Sequence, residues 1–330
     1  MLNQSRILIK GGKIVNNDSK KEEEQIKKVG LNLEIPAGVT VIDATDKLVI
    51  PGGINTHTHM ELAFMGTKAV DDFHIGTKAA QEGGTTMILD FVIPKRGTSL
   101  LEAYERWRDT ADAMTCGNRL HGDLGWTVKK EMETLAKEKG VNSFKMFMAY
   151  KDVFMLQNHE LYAAFSQCKK IGAIAQVHTE NGDLIAEGAK KMLSLVITCP
   201  EGHELCRPEE VEAEATQRAI TIAHAVNCTL YVVHVMSKSA AKVVSNACRN
   251  GEGSEREAQH DMDGVLCYVF RHGPTSKADP STPGYLMDLL EKYTTAHSLC
   301  QKALGKDDFT KIPNGVEDRM SVIWEKDVSC

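Results

Sequence analysis

No C-x-x-C pair occurs among the nine cysteines, from Cys116 to Cys330, which excludes a zinc ribbon and a thioredoxin-like redox centre. Basic residues form no stripe: 39 Lys and Arg are interspersed with 45 Asp and Glu, for a net charge of −6. That balance argues against nucleic acid and against a membrane surface as partner. No apolar stretch is long enough to cross a bilayer. The opening residues Met1-Leu2-Asn3-Gln4-Ser5-Arg6 lack the apolar core of a signal peptide. These absences predict a cytoplasmic enzyme with reduced thiols.

The 330 residues are 42% hydrophobic and 25% charged, which are globular values. The chain opens on short β segments. Ile7-Leu8-Ile9 and Lys13-Ile14-Val15 flank a Gly11-Gly12 turn, and Val39 to Ala44 and Lys47 to Ile50 are again strand-like. Lys20 to Lys28 is a charge run that reads as a solvated helix or loop. From residue 54 the pattern changes to alternating strand and helix. Thr85 to Val92, Asn142 to Tyr150, Ala173 to His178 and Leu230 to Val235 are nearly continuous apolar runs, as in strands covered on both faces. Leu100 to Ala113 and Asn158 to Ile171 have helical spacing, a long helix follows with Pro208 at its first position, and Ser237 caps a helix from Lys238 to Arg249. This alternation predicts βα units in a parallel sheet or barrel. Regularity ends near Asn250. Val265 to Phe270 reads as a strand, 272–283 as a loop and Tyr285 to Glu291 as a helix.

Chemistry-bearing residues collect at strand ends. His57 and His59 are two apart after Leu48-Val49-Ile50-Pro51-Gly52-Gly53, so on an extended segment both imidazoles point the same way. A bare H-x-H is equally often a pair of unrelated surface histidines. His178 ends one apolar run and His234 nearly ends another. Either one alone is more often a satisfied core histidine. Shared placement at the carboxyl ends of three strands lowers that prior, because this is the active face of a parallel barrel. Lys145 lies among Phe144, Met146, Phe147 and Met148, where a cation is costly to bury. It either snorkels to solvent or acts as a neutralised or modified ligand. Asp90 lies near the end of the run Thr85 to Val92 and reads equally as a structural hydrogen-bond acceptor.

The ordered motifs Ile50-Pro51-Gly52-Gly53-Ile54, Gly83-Gly84-Thr85-Thr86-Met87-Ile88, Ser143-Phe144-Lys145-Met146-Phe147-Met148 and His178-Thr179-Glu180-Asn181-Gly182-Asp183 resemble the hydantoinase/dihydropyrimidinase family of the amidohydrolase superfamily. Pro208 to Ala215, Val235 to Ser239 and the tail from Gln301 to Trp324 continue the likeness. The resemblance implies an α/β fold: a TIM-type (β/α)8 barrel beside a small β-sandwich. Residues 1–50 would supply the N-terminal part of that sandwich and 51–330 the barrel. It implies two Zn2+ ions, with His57 and His59 on one, His178 and His234 on the other, and a carbamylated Lys145 between them. It implies that Tyr150 contacts the substrate and its developing oxyanion and that Asn314 binds substrate. The family reaction opens the cyclic amide of dihydropyrimidines, small molecules of pyrimidine catabolism, to N-carbamoyl-β-amino acids. Family members are homotetramers.

The chain departs from this pattern after residue 250. The family's general-base aspartate, also a ligand of the ion on His57 and His59, belongs just before Cys300, and 290–299 contains no aspartate. The segment 251–273 does not match, and the chain ends early for the family. A barrel incomplete at its C-terminal side, no more than one tightly held zinc and weak activity are the expectation. Two other readings stand beside it: a non-catalytic assembly protein like the collapsin response mediator proteins, and a truncated product with neither role.

Overall fold

The structure is a computed structural model that describes residues 7–14, 38–49, 52–64, 66–94, 98–111, 117–123, 129–249 and 265–269, with Ser281 and Tyr285. The chain separates into two compact units, with the boundary between Gly53 and Ile54.

The first unit holds four short strands. β1 (Ile7–Lys10) pairs in parallel with β3 (Thr40–Asp43), and β2 (Lys13–Ile14) pairs in parallel with β4 (Leu48–Val49). The Gly11-Gly12 turn therefore does not close a hairpin between β1 and β2. It carries the chain from one parallel ladder to the next. Gly11 has φ +79°, and a Cβ there would meet the backbone of Thr45 at 3.3 Å, so glycine is required. The Lys20–Lys28 charge run lies outside the described residues.

The second unit is organised by a seven-stranded sheet. In chain order its members are β5 (Gly53–Thr58), β8 (Thr85–Val92), β9 (Gly117–Asp123), β10 (Ser143–Phe147), β11 (Ile174–His178), β12 (Leu230–Val235) and β13 (Val265–Val269). A small antiparallel hairpin, β6 (Ala63–Phe64) with β7 (Thr67–Lys68), follows β5. The sheet order repeats the chain order, and the pairs from β8 through β13 are all parallel. Helices fill the connections: α1 (Phe73–Glu82), α2 (Leu100–Ala111), α3 (Lys129–Glu138), α4 (Asn158–Ile171), α5 (Gly182–Ser194), α6 (Pro200–Leu205), α7 (Glu209–Val226) and α8 (Lys238–Arg249). Sequential parallel strands with helices in the connections between them make the β/α-barrel arrangement, with seven strands among the described residues.

The strands are continuous apolar runs because both faces are covered. Phe144, Met146 and Met148, Ala175 and Val177, and Leu230 and Val232 join one core with Leu161, Phe165, Ala219 and Val244 of the helices. The opposite parity, which includes Lys145, Phe147, Gln176 and His178, is equally buried. Helix ends follow local chemistry. α4 opens on a Gln157/Glu160 capping box and closes at Gly172 with φ +69°. The Ser237 Oγ accepts from the Ala240 amide at 3.2 Å, as a cap of α8 should. Pro208 is corrected by one position: it is the N-cap of α7, with extended ψ 160°, and not its first helical residue. Of the expected helix 285–291, only helical Tyr285 is described.

Candidate metal centre

Strand alternation sorts the side chains near the strand ends. On β5 and its continuation, His57 and His59 share one parity, and Phe91 of β8 packs against both rings at centroid distances of 4.7 and 5.1 Å. The two imidazoles approach to 3.1 Å between their Nε2 atoms. His57 also lies 5.3 Å from His234, ring to ring, and His234 lies 4.6 Å from His178. One chain of four imidazoles thus runs across the carboxyl ends of β5, β11 and β12.

His234 reaches this cluster by an irregularity. Leu230 and Val232 face the helix-side core, so regular alternation would place residue 234 there too. The register between β12 and β13 instead shifts between Val232 and Val235, and His234 has φ +35°. This bulge turns its ring to the other face and brings Val235 into the helix-side core. A positive φ at a non-glycine residue costs about 1–3 kcal/mol and must be held by its surroundings.

Lys145 is fully buried in the middle of β10. Its Nζ lies 4.8 Å from the Phe91 ring centre and 4.9 Å from that of Phe147. It does not snorkel to solvent. Burial holds the pKa of His57, His59, His178 and His234 below the ordinary imidazole value, with the nearby Lys145 charge acting in the same direction. For His59 the value falls to about 3. The cluster is therefore a set of neutral imidazoles with lone pairs available to a cation.

Two carboxylates stand near the histidines: Asp90, which the sequence left with two readings, and Glu180, which it did not single out. Glu180 Oε2 lies 3.0 Å from His178 Nε2, with both side chains buried, and Arg207 Nε lies 3.7 Å from the same oxygen. The signal for Glu180 was its place two residues beyond His178, but strand periodicity stops at His178. Asp90 is fully buried and accepts from the Thr58 hydroxyl at 2.7 Å, the Met60 amide at 2.8 Å and Trp107 Nε1 at 3.3 Å. This settles its open reading as a hydrogen-bond acceptor. Burial still pushes its pKa up to about 7.

Tyr150 sits just past β10 with φ +59°, its ring 5.1 Å from His178. Its carbonyl accepts three successive amides, from Val153, Phe154 and Met155, which hold the turn in this conformation. Burial and then Glu180 raise its pKa to about 12, so its hydroxyl stays protonated at neutral pH. Asn314 and the segment 290–299 lie outside the described residues. Among the described residues, no three His, Cys, Asp or Glu side chains form a metal-holding group by themselves. The donors occur as two histidine pairs, with Lys145 buried near them.

Residues 48–267 match the model of the amidohydrolase family. The chain is 58% identical to the dihydropyrimidinase of Rattus norvegicus, over 99% of its own length and 70% of that protein. It is 50% identical to dihydropyrimidinase-related protein 5 of Homo sapiens, over 98% of its length and 63% of that protein. Among solved structures, the D-hydantoinase of Bacillus sp. AR9 superposes with a TM-score of 0.72 at 35% identity, covering 80% of this chain. The chain spans 57% of that hydantoinase. No helix among the described residues is long and apolar enough to cross a membrane. The TIM-barrel expectation therefore holds, and the chain belongs to the amidohydrolase family, in its dihydropyrimidinase and hydantoinase branch.

Proposed function

We propose that this chain is a zinc-dependent cyclic amidohydrolase that opens the ring of 5,6-dihydropyrimidines, dihydrouracil and dihydrothymine among them. The observation that carries the reading is the 3.1 Å approach of His57 Nε2 to His59 Nε2. Two nitrogens sharing one tetrahedral zinc at 2.0–2.1 Å stand about 3.3 Å apart, so the pair is already spaced as co-ligands. His178 and His234 form the second donor pair. Lys145 joins the donor set on carbamylation: its ammonium first loses a proton, and the neutral amine then adds to carbon dioxide and releases a second. The buried cation then becomes an anion with two oxygen donors. Residues 51–330 carry this site, and residues 1–50 belong to the small sandwich in the same reading.

Bound zinc would supply an activated water and polarise the scissile carbonyl. The chain's own groups do the rest. Neutral imidazoles present lone pairs. Glu180 accepts from His178 Nε2 and so fixes which nitrogen faces the cluster. The protonated Tyr150 hydroxyl donates to the oxygen on which negative charge develops. Asn314 binds the ring in the same reading.

Zinc content per purified chain, measured together with dihydrouracil turnover, tests the proposal. Zinc with turnover supports it, and zinc-free chain without turnover defeats it. The likeness to human dihydropyrimidinase-related protein 5 favours a second reading, an assembly protein of the same fold. A soluble, symmetric, zinc-free oligomer is its signature.

A further inference from the structure

Asp90 occupies a position where the fold favours an apolar side chain. Ile88 and Val92 share its parity on β8, and both are fully buried. A buried carboxylate is costly unless its oxygens are satisfied. Its oxygens accept from neutral donors, and two of these converge on one oxygen: the Thr58 hydroxyl and the Met60 amide both donate to Oδ2. These residues flank His59 on either side. The other oxygen is held from the helix layer by Trp107 of α2. The carboxylate thus grips the point where β5 ends and the chain turns into the following loop, with His59 in the middle of the grip.

We propose that Asp90 is a positioning residue for the His57–His59 pair: by accepting from Thr58 and Met60, it fixes the backbone on either side of His59 and so sets the approach of the two imidazoles as a cation-binding pair. This rests on the metal reading above. The strand alone fixes His57, which lies within β5. His59 lies beyond its last residue, Thr58, and has no ladder to hold it. A hydrogen-bonded clamp from the neighbouring strand supplies that constraint, which an apolar side chain at position 90 has no means to do.

The test uses the full chain with Thr58→Val, which removes one donor with little change of shape, and Asp90→Ala. Zinc affinity is read by competition with a chelator, and Met60 amide exchange is read in the zinc-free chain. Each variant should weaken the ion held at His57 and His59 by about 10–100-fold, the range for loss of a group that orients a ligand. The Met60 amide should exchange faster in Asp90→Ala. Loss of Met60 protection with zinc affinity unchanged would overturn the proposal. If Asp90→Ala does not fold, Thr58→Val decides alone: unchanged affinity overturns the proposal and weakened affinity sustains it. A His57→Ala/His59→Ala variant that binds zinc like the wild type would sink the metal reading instead. The two failures are told apart because Met60 exchange in the zinc-free chain reports the clamp without any metal.

Discussion

His178 Nε2 and Glu180 Oε2 stand 3.0 Å apart, and both side chains are buried. An ionised carboxylate only accepts, and the Arg207 guanidinium faces the same oxygen at 3.7 Å. Nε2 must then carry the proton, which leaves the Nδ1 lone pair for a ligand. Glu180→Gln should weaken zinc binding by about 10–100-fold, and nitrogen-15 shifts of His178 in the zinc-free chain should report a change in tautomer population. An unchanged tautomer together with unchanged affinity would refute this role.

Lys145 allows a separation of stability from function. Its amine is buried against two aromatic rings, where a cation is poorly solvated. Lys145→Met keeps the volume and removes the polar group. The metal-free variant should melt above the metal-free wild type, while its zinc affinity falls by more than about 100-fold. Added bicarbonate should raise zinc uptake in the wild type and not in the variant. Thermal unfolding and zinc titration check both.

Asp90 links stability to pH. Its pKa rises from 3.8 unfolded to about 7 in the fold, chiefly by burial. Between these values the folded chain keeps a proton that the unfolded chain has released. Stability therefore falls as pH rises through that window and levels off above it, by roughly 4 kcal/mol at most. Asp90→Asn does not titrate. Urea unfolding at pH 5 and pH 8 should show the variant gaining on the wild type at the higher pH, and an equal difference at both would contradict the assignment.

His234 carries backbone strain with φ +35°. A Cβ is unfavourable there and glycine is not. His234→Gly should be more stable than His234→Ala by about 1 kcal/mol, the reverse of the usual order in a strand. Denaturant midpoints of the two variants decide the matter.

Gly182 opens α5 with its amide donating to Met148 O at 3.0 Å. A Cβ at this position would lie 3.1 Å from both Met148 O and Ala149 Cα, which are backbone atoms. Gly182→Ala must move the segment just beyond Lys145. A loss of about 1–3 kcal/mol is expected, measured by unfolding, with a reduced zinc affinity accompanying it.

The strongly apolar segments were legible in the sequence because strands covered on both faces must be apolar throughout. The runs at 85–92, 143–147, 174–178 and 230–235 are β8, β10, β11 and β12. Strand β9 was not legible: Gly117-Asn118-Arg119-Leu120-His121-Gly122-Asp123 has neither alternation nor an apolar run, and its pairing with β8 makes it a strand. Helices α1, α3, α5 and α6 were likewise not evident in the sequence. The pairing in the first unit was hidden for a related reason: a glycine turn between two strands suggests a hairpin, and only partners some 30 residues away make both ladders parallel.

The sequence by itself determined the family, the alternation of strand and helix, and which residues stand near strand ends. Side-chain parity alone gave His57 and His59 the same facing, since that much needs no partner strand. Tertiary structure decided the remainder. Regular alternation would have turned His234 to the helix side, and the β12 bulge brought it beside His178. A buried lysine had two readings until the sheet enclosed it. Asp90 had two readings until Thr58, Met60 and Trp107 converged on it. Those outcomes depend on contacts between segments distant in the chain, and such contacts leave no period in the sequence.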